Sequence, residues 1–310
     1  MSHVGLIYQG AAHGYNTVWN NQSNLVGRQD AIHGGNQWLN YGGRSLVQQN
    51  GVFADNTARN SFGRMGIQQN SIWGDNRLSN VGGVTGGYQN ALFGDNTARN
   101  QWGALGLNQY SLLGNNELST LGGVTNARQT AILGDNQATN HNGYLNLSQR
   151  SLVGDNSLFN LHGQTQAVQR SAYGDNVALN LGGDLRIHQR AFHGDNAIVN
   201  DGGNVWANQS TVGGSNQYRG YGDGLHRVNQ YAVNGSNQVT ANGNSGLFAV
   251  LGGRNVDIHA TGTQNSDAFV IYGDQVSGSV YGRGGNDFAL VHHGQDPNLY
   301  LNQIEHVAIV

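Results

Sequence analysis

The chain has 310 residues, with 49 Gly, one Pro, no Cys, only 11% charged residues and a net charge of −3. The lack of Cys removes disulfides and thiolate metal sites. The near-neutral balance argues against nucleic acid or an anionic membrane as principal partner, and no apolar run approaches the roughly 20 residues needed to span a bilayer.

The N-terminal residues MSHVGLIYQG have no basic region followed by an apolar one, so they do not read as a Sec signal peptide. Either a signal has been removed, export uses another route, or the protein stays inside.

From about residue 9 to residue 216 the chain repeats at a fixed i, i+20 spacing without slippage. Asn recurs from Asn16 to Asn216, through Asn76, Asn96, Asn116, Asn136, Asn156, Asn176 and Asn196. Gln recurs from Gln9 to Gln209, through Gln69, Gln89, Gln109, Gln129, Gln149, Gln169 and Gln189. High Gly with sparse large apolar residues suits disorder, but a disordered tract has no reason to hold columns in register. Self-similarity at this period is the mark of a solenoid.

Counting columns from Ser71, column 4 is Gly (Ala54 excepted), column 5 is mostly Asp and column 6 is Asn. Column 10 is Asn except at Thr120, column 13 is Gly from Gly43 to Gly203, and column 19 is Gln. Gly-Asp-Asn in every rung would break a helix before it closed three turns. Columns 6, 8 and 10 alternate Asn-x-apolar-x-Asn, and columns 15, 17 and 19 alternate apolar-x-apolar-x-Gln, the period of a strand. Each rung therefore reads as two short strands joined by arcs at Gly-Asp-Asn and around column 13, where Gly supplies positive φ.

Side-chain volumes in three columns vary together. With Ala98 in column 8, columns 15 and 17 are Leu105 and Leu107; with Leu118, they are Thr125 and Ala127. Close-packed interiors hold local volume nearly constant, so the three columns are expected to share one narrow core. The alternation makes a super-repeat of doubled length, so a rung of two repeats stays open beside a rung of one. The Gln column, in phase with the core columns, is expected to form an inward ladder. The Asn of column 6 either stacks inward likewise or caps the turn.

Beyond residue 216 the register slips by one, to Gln230 and Asn237. Residues 217–244 read as a transition and 245–310 as a C-terminal β-rich cap or small domain. Its apolar runs begin at Leu247, Ala268 and Phe288, with turns at Gly252–Gly253, Gly273–Asp274 and Gly294–Gln295. Solenoids need end units that shield their last rungs. The expected fold class is thus all-β: a β-solenoid of 20-residue rungs over residues 1–216, with Asn/Gln ladders and this cap.

Stacked carboxylates repel, so the Asp column must face water, meet cations or accept turn hydrogen bonds. Asp155, Asp175 and Asp195, with Arg150, Arg170 and Arg190 as compensating charges, are the candidates for a string of ions. Turn formation is the stronger reading. His13 and His33 share column 3 and His292–His293 form a pair, but no third ligand has metal spacing. No HExxH, GxSxG or phosphate loop occurs. Column 7 is too irregular for an ice-binding plane.

The Gln and Asn columns, small residues and Gly turns of residues 9–216, as in Gln69…Asn76, resemble the curlin repeats of bacterial functional amyloids. That resemblance implies strand–arc–strand rungs, export and polymerisation into extracellular matrix fibres. Gly282–Ala289, around Asp287, resembles one nonapeptide of the calcium-binding RTX β-roll, which implies calcium as a ligand there; no other cofactor is expected.

The leading expectation is a non-enzymatic structural protein, extracellular or at a bacterial cell surface, stacking end to end with copies of itself. No polar cap precedes the first rung, so its strand edge is expected to be open. The alternative is an adhesin or carbohydrate-binding module with surface glycans as partners. Its exposed aromatics would be Trp19, Trp38, Trp73, Trp102, Trp206, Tyr218 and Tyr221. A β-helix enzyme acting on polysaccharide through a carboxylate such as Asp267 or Asp287 is the third.

Overall fold

The computed structural model describes residues 4–243, 246–292 and 298–310. The expected boundary at Ser245, His293 of the His pair and the turn at Gly294–Gln295 lie outside them. The described residues form strands and connecting arcs, with no helix among them. The chain divides into two compact units, Met1–Gly154 and Asp155–Val310, and each is a β-solenoid of parallel stacked strands.

In the first unit, β1 (Val4–Asn21), β2 (Asn24–Tyr41) and β3 (Arg44–Ser61) are each one bent strand. They pair in parallel so that Gln9, Gln29 and Gln49 align, as do Asn16, Asn36 and Asn56. The rung is therefore a single repeat, and the doubled alternative does not form. Later rungs split into two strands, such as Ala104–Leu113 and Asn116–Leu121. The split has a side-chain cause. Asp55 aligns with Gly35, which has no side chain, and the ladder passes backbone to backbone. From the next rung on, the amide N–H of Asp75 donates to Asp55 Oδ1 at 2.9 Å and that of Asp95 to Asp75 Oδ1 at 3.0 Å. The carboxylate takes the place of a ladder bond and turns the chain.

The second arc meets expectation in part. Gly42, Gly82, Gly122, Gly182 and Gly202 in column 12, with Gly123 and Gly203 in column 13, have positive φ, but in other rungs the left-handed residue of column 12 is not Gly: Phe62, Trp102 and Asn142 have φ of 56°, 55° and 56°. The column-13 Gly is needed mainly for closeness, since a Cβ on Gly63 would stand 2.5 Å from Gly43 O.

The three core columns are buried and interlock as their volumes require: Ala98 with Leu105 and Leu107, then Leu118 with Thr125. Trp38 is fully buried, not exposed as expected. It sits in column 8, its Nε1–H donates to Ser45 Oγ at 3.1 Å, and Gly27 leaves it room.

In the second unit Asn156, Asn176, Asn196, Asn216 and Asn237 align. Tyr221 pairs with Asp201, one full repeat back, whereas His226 pairs with Val205, one residue more than a repeat back. The extra residue is therefore taken up in the arc between Tyr221 and His226. Leu247–Thr261 and Ala268–Tyr281 continue the parallel pairing, with an interior of Leu251, Ile258, Phe269, Ile271 and Val280 in place of amides.

Candidate functional site

The ladders are the most ordered chemistry in either unit. In the first, each column-6 Asn donates Nδ2–H to Oδ1 of the Asn one rung on, as in Asn76 to Asn96 and Asn96 to Asn116, both 2.9 Å. Its second N–H goes to a backbone carbonyl, Asn96 to Tyr110 O at 2.7 Å. The Gln ladder runs the opposite way: Gln89 Nε2–H donates to Gln69 Oε1 at 2.9 Å. The column-10 Asn residues form a third ladder, Asn40 to Asn60 at 2.7 Å, and also hold the second arc, Asn60 donating to Gly63 O at 2.9 Å. In the second unit the same bonds join Asn176 to Asn196, Gln189 to Gln169 and Gln230 to Gln209. These amides are buried, and inward stacking, not turn capping alone, is the role of column 6. The ladder ends where Asn237 donates to Gly252 O at 2.8 Å.

The Asp column serves the turns. Asp155 Oδ1 accepts from Asp175 N and Asp175 Oδ1 from Asp195 N, both at 2.8 Å. Arg77 bridges Asp55 and Asp75 in the first unit, exposed to water and hence of small energetic weight. Arg170 and Arg190 act on His188, whose pKa is pushed down by burial and then by both guanidiniums. Among the described residues no group of three or more His, Asp or Glu could hold a metal ion. Asp287 is buried, its Oδ1 accepting from Asp267 N at 2.8 Å. Asp267 in turn accepts from Leu247 N and Thr263 N, both at 2.6 Å. Burial pushes both carboxyls up, and for Asp287 the Asp267 and Glu305 carboxylates add to it.

His13 and His33 stack at 4.9 Å between ring centroids and begin a longer column that sequence reading missed. His33 stacks on Phe53 at 5.1 Å, Phe53 on Trp73 at 6.4 Å and Trp73 on Phe93 at 3.9 Å, all with nearly parallel ring planes. The signal was present in column 3, read as a column rather than as separate His and Trp residues. Stacked face to face, these rings offer edges to solvent rather than a platform. Beside them Ile32, Ile72 and Leu92 are exposed, giving an apolar strip. Trp19, Trp73, Trp102, Trp206 and Tyr221 are exposed, but Tyr218 is buried. Tyr218 fills column 8 and its hydroxyl lies 2.6 Å from His226 Nδ1.

β1 is an edge strand among the described residues of the first unit, none of which pairs with its side away from β2. The β1 sequence includes no charge and no Pro. Leu6, Tyr8, Tyr15 and Trp19 are all more than two-thirds exposed on it. Gln9 Oε1 accepts from Gln29, Asn16 Nδ2 donates to Asn36 and Asn20 Nδ2 to Asn40, so the outermost amides of all three ladders lie at this edge. The chain matches no protein-family model, no curated protein and no solved structure.

Proposed function

We propose that this protein is a structural protein that joins copies of itself through the β1 edge into an extracellular, amyloid-like filament or matrix, without a catalytic step of its own. The observation that carries this reading is the edge itself. Natural sheets blunt their edges with charge, Pro, bulges or covering elements, and β1 has neither charge nor Pro. A strand added there continues the backbone pairing along the whole of β1 and three ladders of amides in phase, the arrangement that gives stacked β-structures their persistence.

Charge supports an asymmetric junction. The first unit carries eight Arg against six Asp and Glu, and the second seven Arg against twelve. Unlike units attract, which favours the first unit of one copy meeting the second unit of another.

The test places charge on the edge without touching the interior. Leu6→Lys with Tyr15→Lys alters two exposed side chains. The double variant is expected to keep its β circular-dichroism spectrum and remain unassembled in light scattering at concentrations where the parent protein polymerises. Equal polymerisation of the two proteins would remove the edge from the account.

A further inference from the structure

Gly66, Gly86 and Gly106 occupy one outward mid-strand position in three successive rungs of the first unit. Gly weakens a strand, having no side chain to pack and much entropy to lose. Most Gly residues here are explained by closeness; a Cβ on Gly94, for example, would stand 2.1 Å from Gly74 O. These three are not. None has a left-handed φ. A Cβ on Gly106 would meet nothing within 4 Å, one on Gly86 only Gly106 O at 3.9 Å, and one on Gly66 only the tip of Leu46. A strand Gly with open space above it marks a place where another molecule comes close to the backbone.

Gly66 and Gly86 floor a trough that runs along the stack, and Gly106 holds the same position one rung on. A depression of about 880 Å³ extends across five rungs, from Leu6 to Tyr88, and includes Gly66 and Gly86. A second, of about 320 Å³, joins it on the side of Arg44 and Arg64. That size suits a ligand cleft, and its course across rungs about 4.8 Å apart suits an extended chain that offers the same groups at each step.

The walls say what kind of chain. Arg44 and Arg64 align directly in adjacent strands, both exposed, and neither guanidinium has an acceptor among the described residues. Like charges placed opposite each other destabilise a sheet, so the pair is better explained by an anion between them than by the fold. Arg28, at the other side of the trough, is by contrast neutralised by Asp30 at 2.8 Å. The facing wall of Gln48, Gln68 and Tyr88 provides amide and phenol groups suited to hydroxyls, and Tyr88 adds a ring.

We propose that this trough binds an extended acidic polysaccharide, its carboxylates on Arg44 and Arg64 and its sugar rings over the Gly floor. Nucleic acid fits less well, since its binders present a broad basic stripe and this chain has a net charge of −3. Arg44, Arg64, Gly66 and Gly86 lie in rungs beyond β1, which lines only the far end of the trough through Leu6, Ile7 and Tyr8, so binding at the Arg pair does not require self-assembly.

The experiment uses the full-length protein with labelled oligogalacturonate, and with dextran and single-stranded DNA as alternatives. Saturable binding of oligogalacturonate, weakened by salt and absent for dextran, is expected. Arg44→Gln with Arg64→Gln should weaken it at least tenfold. Gly86→Val should do the same while leaving the thermal midpoint unchanged or higher, because Val favours strands and a Cβ there would meet only Gly106 O at 3.9 Å. Polymerisation should persist in both variants. Absence of saturable binding, tighter binding of DNA, unchanged affinity in the Val variant, or a lowered midpoint in it would each overturn the proposal.

Discussion

Asn96 shows what one ladder residue does. It donates to Asn116 and Tyr110 O and accepts from Asn76, all in the interior. Asn96→Leu leaves three buried polar partners unpaired, and the cost is expected to reach at least about 3 kcal/mol, since each buried unsatisfied group costs roughly 1–3 kcal/mol. Asp75→Ala should cost only about 1 kcal/mol, because the Asp95 N–H it releases is exposed to water. Urea unfolding followed by Trp fluorescence measures both, and equal costs would mean that the buried ladders hold no special weight. The titrating residues of the second unit pull in opposite directions. Burial pushes His226 down, so its folded-state penalty is absent above the unfolded value of about 6.5 and grows as pH falls below it. Burial pushes Asp287 up, so its penalty is absent below the unfolded value of about 3.9 and complete above the folded pKa. Asp287→Asn should therefore remove part of the stability gained between neutral pH and the carboxylate range. The slope of thermal midpoint against pH should stay unchanged above that range; a slope identical to the parent throughout would show that Asp287 does not titrate as its surroundings imply.

At the scale of the rung, the sequence disclosed the arrangement because its interior is narrow enough for one column to constrain another. Ala98→Leu should overpack its layer and cost about 1–3 kcal/mol. Adding Leu105→Thr and Leu107→Ala should recover most of that, since the result copies the layer of Leu118, Thr125 and Ala127. Failure of this rescue in a double-mutant cycle would break the volume argument. Other features were less legible because columns do not encode depth at their edges. Trp38 and Tyr218 looked like surface aromatics by type, yet both are in column 8, where position outweighs hydrophobic class. Column-13 Gly looked like the left-handed residue, while in most rungs the need was room beside the previous rung and column 12 took the positive φ; only Gly123 and Gly203 of column 13 take it as well. The splitting of later rungs depended on whether the preceding rung had a side-chain oxygen to offer there, a carboxylate or the amide of Asn115, a relation between neighbours that a single-rung reading does not show. The Gly trough was hidden for the same reason: Gly66, Gly86 and Gly106 stand out only against knowledge that nothing fills the space above them.

At the scale of the molecule, the repeat supplies stability by stacking, and stacking does not limit itself. Each rung satisfies its neighbours through backbone pairing and amide ladders, and β1 carries that pattern to an edge with no charge to blunt it. The proposal that another copy continues the stack rests on that edge. Electron microscopy of the purified full-length protein, with the Leu6→Lys/Tyr15→Lys variant beside it, tests this most directly. Filaments of uniform width from the parent, with an axial spacing of about 4.8 Å in diffraction and none from the variant, are the expected result. Discrete unassembled particles from the parent across salt, pH and concentration would contradict the account.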